Sequence, residues 1–250
     1  MRACLFAVIC LVCCSAPVDA AIIVFSGADP GVGPGGARPN SNAAAASFDV
    51  AAGALGTVNL INFESAPLGN FAALGLGSGV TATLAGTDID SNAGITNVLG
   101  DSTLGYNTTA GGSQYLRVVP IFDVGTASVT FGFDAPVQAF GTYITGLGTA
   151  AGALHVVFSD GTAQDLSVAG SASGGVQFFG FTDEGKFISS VQLQLTGVIG
   201  SRDIFSVDDV RFVAASEAVP EPSTLVIFAV VGLGASVYLR RRKASGAAAS

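Results

Sequence analysis

Tryptophan is missing from all 250 residues, histidine occurs once, and charged residues make up only 11% of the chain. The lone His155 rules out sites that need two imidazoles, such as a His-Glu-x-x-His zinc motif. No Gly-x-Ser-x-Gly elbow and no phosphate-cradling glycine loop ahead of a helix is present either. His155 lies in the run Ala-Leu-His-Val-Val-Phe. If Leu154, Val156 and Phe158 turn inwards, it stands on the solvent face of a strand; the opposite phase is the alternative. All four cysteines, Cys4, Cys10, Cys13 and Cys14, fall within the first fourteen residues. A chain that loses that stretch has no disulfide, no thiol nucleophile and no thiolate metal site.

Positive charge is also scarce between the termini. Residues 21–216 hold five Lys/Arg against fifteen Asp/Glu, a net of about −10. A surface of that sign repels phosphate backbones, so nucleic acid is not an expected partner. Half of the chain is hydrophobic, but the apolar residues concentrate at the two ends, and the middle alternates. That pattern fits a globular domain between two targeting segments.

At the N-terminus, Arg2 precedes an apolar stretch over 3–12, and Val18-Asp19-Ala20 puts small residues at the two positions a signal peptidase reads. Residues 1–20 read as a signal peptide cut between Ala20 and Ala21, with signal peptidase as the partner. A lipoprotein site is disfavoured, because Val12 rather than a small residue precedes Cys13.

The C-terminus has three parts in order. Pro220-Glu221-Pro222 follows a linker that starts at residue 215. Residues 223–239 form an apolar run near the lower length limit for a membrane-spanning helix. Arg240, Arg241, Arg242 and Lys243 then supply a stop that holds residues 240–250 in the cytoplasm by the positive-inside rule. These residues resemble the PEP-CTERM sorting domain. The resemblance implies recognition by an exosortase in the inner membrane of a Gram-negative bacterium that makes extracellular polysaccharide. It also implies cleavage near the motif, then release or transfer to the cell envelope.

Between these signals, residues 21–56 are rich in Gly, Ala and Pro and read mainly as a loop region. An opening strand at 22–25 and a short helix at 41–51, capped by Ser41 or Asn42, are the regular pieces expected there. From residue 57 strand signals take over. They fall at 57–63, 79–85, 113–119, 127–133, 137–145, 153–158, 164–168, 176–181, 188–195 and 205–213, with Asp160-Gly161 as a hairpin turn. This spacing predicts an all-β fold over 57–214, an antiparallel β-sandwich of jelly-roll type.

The block from Phe131 to Phe212 also resembles domains found ahead of PEP-CTERM tails. Its closing Val207-Asp208-Asp209-Val210 strand is similar to the last strand of carbohydrate-binding jelly rolls. That resemblance implies an exopolysaccharide ligand and a structural calcium ion held by Glu64 with Asp208 or Asp209. Alternation along a strand would send one of the two aspartates inwards and one outwards. The competing reading of the same carboxylates is a turn cap or an ion pair with Arg211 or Arg202. Asp88-Ile89-Asp90-Ser91-Asn92 begins like a calcium loop but lacks the rest of one.

Glycoside hydrolysis needs two carboxylates across a cleft, for which Glu64, Asp183-Glu184 and Asp208-Asp209 are the available groups. With no Trp to stack on sugar faces, Tyr106, Tyr115 and Tyr143 are the substitutes. Asn107-Thr108-Thr109 fits a glycosylation sequon and reads as incidental. The expectation is therefore an exported, non-enzymatic protein of the envelope or extracellular matrix. The alternative is a polysaccharide-binding module with calcium.

Overall fold

The computed structural model describes residues 22–87, 89–120, 126–149, 152–196 and 203–215. The expected signal peptide with its Ala20–Ala21 junction, the Pro-Glu-Pro motif, the apolar span at 223–239 and the basic cluster at 240–243 lie outside these residues. Among the described residues no helix is long and apolar enough to cross a membrane.

The described residues form an all-β domain with one helix, and its organising element is β7, Thr126–Thr145. The sequence predicts two strands here, broken at Asp134-Ala135-Pro136. The backbone instead runs through, with Asp134 and Ala135 exposed at the crossing point. The first half of β7 pairs with β4 (Val80–Ala85) and with β11 (Ile188–Thr196). The second half pairs with β10 (Gly175–Thr182) and with β12 (Phe205–Ala214). One strand thus belongs to two leaves. The first leaf continues through β3 (Ala73–Gly77) beside β4, and through β8 (Gly152–Phe158) and β9 (Ala163–Val168) beside β11. The second adds β1 (Ile23–Pro30) beside β10, then β2 (Val58–Ile61) and β6 (Tyr115–Val118) beside β12, with β5 (Gly94–Thr96) outermost. All these pairings are antiparallel.

Inward side chains of both leaves meet in one core. Phe131, Val129 and Val191 come from the first leaf, and Phe140, Phe181 and Val207 from the second. Each is fully buried, and burial on this scale supplies most of the favourable free energy of folding.

Residues 22–56 are more regular than a loop region: the strand and the helix expected there are both present, and both are longer. They hold β1 and the helix α1, Pro39–Leu55. α1 lies on the outer face of the second leaf. Phe48 is fully buried there against Phe25 and Phe178, with ring centroids 5.9 and 5.5 Å away. Two glycines paired across β7 and β10, Gly141 and Gly180, make room for that ring. A Cβ on Gly180 would stand 2.9 Å from Phe48 Cδ2, and one on Gly141 would stand 2.7 Å from Phe178 Cζ. The helix is not capped by Ser41 or Asn42 as a side-chain acceptor. The buried Asp29 of β1 does this work from another element. Its Oδ2 accepts from Ser41 N at 2.8 Å and Ser41 Oγ at 2.7 Å, and its Oδ1 accepts from Asn40 N at 3.1 Å. A carboxylate facing the unsatisfied N–H groups of a first helical turn is stabilised by them. Burial raises the Asp29 carboxyl, and these donors together outweigh that and hold it below its usual range.

Candidate functional site

The site forms where one edge of β12 changes neighbour. β6 covers Phe205 to Val207 on that edge, and β2 covers Val210 to Val213. Asp208 and Asp209 fall in the gap between them. On the other edge, Asp208 pairs with Tyr143 and Arg211 with Gly141, so β12 carries one extra residue there. This is a β-bulge, with Asp209 in the left-handed region at φ 50°. Aspartate tolerates that conformation better than most residues. The bulge resets the alternation: Val207 and Val210 both belong to the core, and both aspartate side chains turn to the same neighbours. The expectation of one inward and one outward aspartate is thereby overturned.

Those neighbours are Thr108 and Thr109, in the connection at 107–114 that leads into β6. Asp208 Oδ2 accepts from Thr108 N at 2.6 Å, Thr108 Oγ1 at 2.9 Å and Thr109 N at 3.1 Å. Asp209 Oδ1 accepts from Thr109 Oγ1 at 2.7 Å, and its Oδ2 lies 3.2 Å from Thr108 Oγ1. The returning arm of the same connection is held by Glu64, just beyond β2. Its Oε1 accepts from Asn107 Nδ2 at 2.8 Å, and from Ser113 N and Gln114 N at 2.9 Å each. Three carboxylates therefore clamp one loop, through backbone N–H groups and side-chain donors in equal measure. This is the turn-capping alternative realised. Arg211 donates to the backbone carbonyl of Asp209 at 3.2 Å rather than to either carboxylate, and Arg202 lies outside the described residues.

Asp208 is completely buried. Burial first, and then the charge of Asp209, push its carboxyl up to about 7 against the hydrogen bonds from Thr108. Its Oδ1 is buried with no hydrogen-bond donor, as is Gln114 Oε1. Among the described residues no group of three or more His, Cys, Asp or Glu side chains is placed to hold a metal ion.

The clamped loop forms one wall of an open groove of about 470 Å³, whose other walls are 34–38 and 97–100. Arg38 reaches across it and donates through Nη2 to the carbonyl of Thr108. Its guanidinium stacks on Tyr143, 5.0 Å from the ring centroid, while Arg211 stacks on the same ring at 5.2 Å. Arg211 also lies 3.3 Å, Nε to Oδ1, from Asp49, an ion pair without hydrogen-bond angles. Burial first raises the Asp49 carboxyl, Asp209 adds to the rise, and Arg211 opposes it.

The other residues singled out by sequence are scattered. Tyr106, Tyr115 and Tyr143 are all at most 5% exposed. Their hydroxyls donate to Val32 O, Val98 O and Asn42 Oδ1. They are buried struts, not platforms for sugar rings. Asp183 caps a tight turn through Gly185 N and Lys186 N. Asp90 caps another through Asn92 N. His155 sits at the surface of β8, with Nδ1 2.6 Å from Asp165 Oδ1 on β9. Val156 and Phe158 face the core, as the first of the two phases requires. Thr108 and Thr109 were not flagged as site residues. Their only sequence signal is the sequon, and Asn107 Nδ2 is itself held by Glu64 and Gln114 O.

Residues 218–243 match the PEP-CTERM protein-sorting motif. No curated protein matches the chain in sequence. Among solved structures, a mutant of the family 29 carbohydrate-binding module CBM29-2 is 11% identical, with 66% of this chain and 99% of that one covered, at a TM-score of 0.36. A carbohydrate-binding module of the β-sandwich superfamily is 16% identical over 61% of this chain and 60% of its own, at 0.38. The enzymatically active domain of tailspike protein 4 from bacteriophage CBA120 is 13% identical over 55% of this chain, at 0.38, and the match spans only 19% of the tailspike chain. The tail is a PEP-CTERM sorting motif, the mark of an exported protein processed by an exosortase.

Proposed function

We propose that this exported protein is a non-catalytic component of the cell envelope or extracellular matrix, and that its β domain offers the Arg38 groove to polysaccharide. The supporting observation is the clamp. Glu64 through Oε1, Asp208 through Oδ2 and Asp209 through both oxygens accept from the backbone and side chains of 107–114. A loop fixed in this way keeps the groove wall in place before a ligand arrives, which lowers the ordering cost of binding.

In this reading, signal peptidase cuts between Ala20 and Ala21. The span at 223–239 then lodges in the inner membrane, with Arg240 to Lys243 on the cytoplasmic side, until the exosortase acts at Pro220-Glu221-Pro222. Deleting Pro220 to Pro222 should leave an unprocessed, heavier protein in the membrane fraction. Unchanged mass and location would refute the sorting step. For the groove, affinity electrophoresis of the mature protein through gels containing neutral and acidic polysaccharides should show retardation in at least one. Free migration in all of them would refute binding.

A second reading adds a structural calcium ion at the clamp. The buried, donor-free Asp208 Oδ1 and Gln114 Oε1 favour it, since hard cations take such oxygens. Calcium should then raise the melting temperature, with Asp208→Asn abolishing the rise. No change on adding calcium to chelator-treated protein would remove this reading.

A further inference from the structure

We infer that the groove selects carboxylate-bearing sugars, with Arg38 as the contact to the carboxylate. This inference rests on the polysaccharide reading above and narrows it to one chemical class.

The domain is strongly acidic, yet among the described residues that line the groove Arg38 is the only charged one. The carboxylates behind the wall are already engaged: Asp208, Asp209 and Glu64 accept from the loop, and Asp29 accepts from α1. The two arginines on Tyr143 differ in the same respect. Arg211 has Asp49 at 3.3 Å. Among the described residues no carboxylate lies within ion-pair distance of Arg38. Its guanidinium is held by one carbonyl and one ring face. A planar fork fixed in that manner, with donors left over and no counter-ion, suits a carboxylate.

The remaining walls suit a sugar better than a compact anion. Asn97 and Ser113 offer an amide and a hydroxyl group along the groove. Leu99, 86% exposed, and Val98, 59% exposed, form an apolar lip. Carboxylate, hydroxyls and an apolar C–H face occur together on a uronic-acid residue, and the three wall types match them in turn.

The test uses the mature full-length protein in affinity electrophoresis against polygalacturonate, the same polymer with its carboxyls reduced to alcohols, and polyphosphate. The expected order is strongest retention by polygalacturonate, with retention weakened on the order of tenfold by Arg38→Gln. Because Arg38 also braces Thr108 and Tyr143, its replacement can disturb the fold. Leu99→Glu and Leu99→Lys on the exposed lip are therefore the companion variants. The preference for acidic over reduced polymer should fall with Glu and rise with Lys. Equal retention of the acidic and reduced polymers would overturn the inference while leaving polysaccharide binding intact. Equal retention of polyphosphate would overturn the sugar part and leave a general anion contact. No retention of any polymer would remove both the inference and the reading beneath it.

Discussion

Two acid contacts join neighbouring segments of this domain, at opposite extremes of exposure. On β8 and β9, His155 and Asp165 face each other across the ladder at 2.6 Å, with 44% and 70% of their side chains exposed. At the bulge of β12, Asp208 meets Thr108 at the same 2.6 Å with none of its surface in water. The distances are equal and the energetics are not. Water competes for the first contact and screens it, so pairs of that kind contribute little. The second has no water to fall back on, and every donor aimed at Asp208 would be stranded without it. Distance alone does not rank contacts; what would satisfy the same atoms if the contact were lost does.

The largest effect should come from Asp208→Ala. It strands Thr108 N and Thr109 N and should lower stability by roughly 3 kcal/mol in a denaturant titration. The isosteric Asp208→Asn keeps an acceptor and removes the repulsion with Asp209, so less than half of that loss is expected. If the two variants unfold together, the clamp is not held by hydrogen bonds in the way described.

Next comes pH. The Asp208 carboxyl sits at about 7 in the folded chain, above its ordinary value near 3.8. A group raised on folding contributes stability that is complete below its unfolded pKa and is lost as pH rises through the folded one. Stability in chelator-treated buffer should therefore fall between pH 4 and pH 8, by a few kcal/mol. Asp208→Asn should flatten that slope, and a slope that survives the substitution would assign the titration elsewhere.

Glu64→Gln is smaller, at roughly 1–2 kcal/mol. It weakens an acceptor of three donors without removing it, and faster amide exchange at Ser113 and Gln114 should report it. Smallest of all, His155→Ala and Asp165→Asn should each stay within about 0.5 kcal/mol of the parent. A larger loss would mean that the exposed pair carries more than its exposure allows.

The sequence made the exposed contact more legible than the buried one. Alternation reduced the strand of His155 to two phases, one of them with Val156 and Phe158 inwards, and Asp160-Gly161 marked the hairpin beside it. Most strands were visible for the same reason. β3 was not, because Leu74 and Leu76 alternate with glycines and resemble loop sequence. β5 is three residues long, too short for a period to show. Continuity through Asp134-Ala135-Pro136 was hidden because proline ends most ladders, while here it lies where β7 passes from one leaf to the other. The bulge was hidden most deeply. Its left-handed residue is Asp209 rather than glycine, so no turn signal announced it, and the rule of two gave the wrong face. Glu64, Asp208 and Asp209 do meet on one loop, as acceptors of its hydrogen bonds. What the two aspartates hold, Thr108 and Thr109, lies about one hundred positions away in the chain, where no local pattern could show it.

β12 has a consequence for export as well as for geometry. It lies beside β7, β2 and β6 in the middle of its leaf, yet among the described residues it is the last strand in the chain. A chain that emerges N-terminus first presents β2, β6 and β7 with a vacant lane among them. The threonine loop arrives without its acids. For any chain delivered N-terminus first, this leaf closes only once residue 214 has arrived.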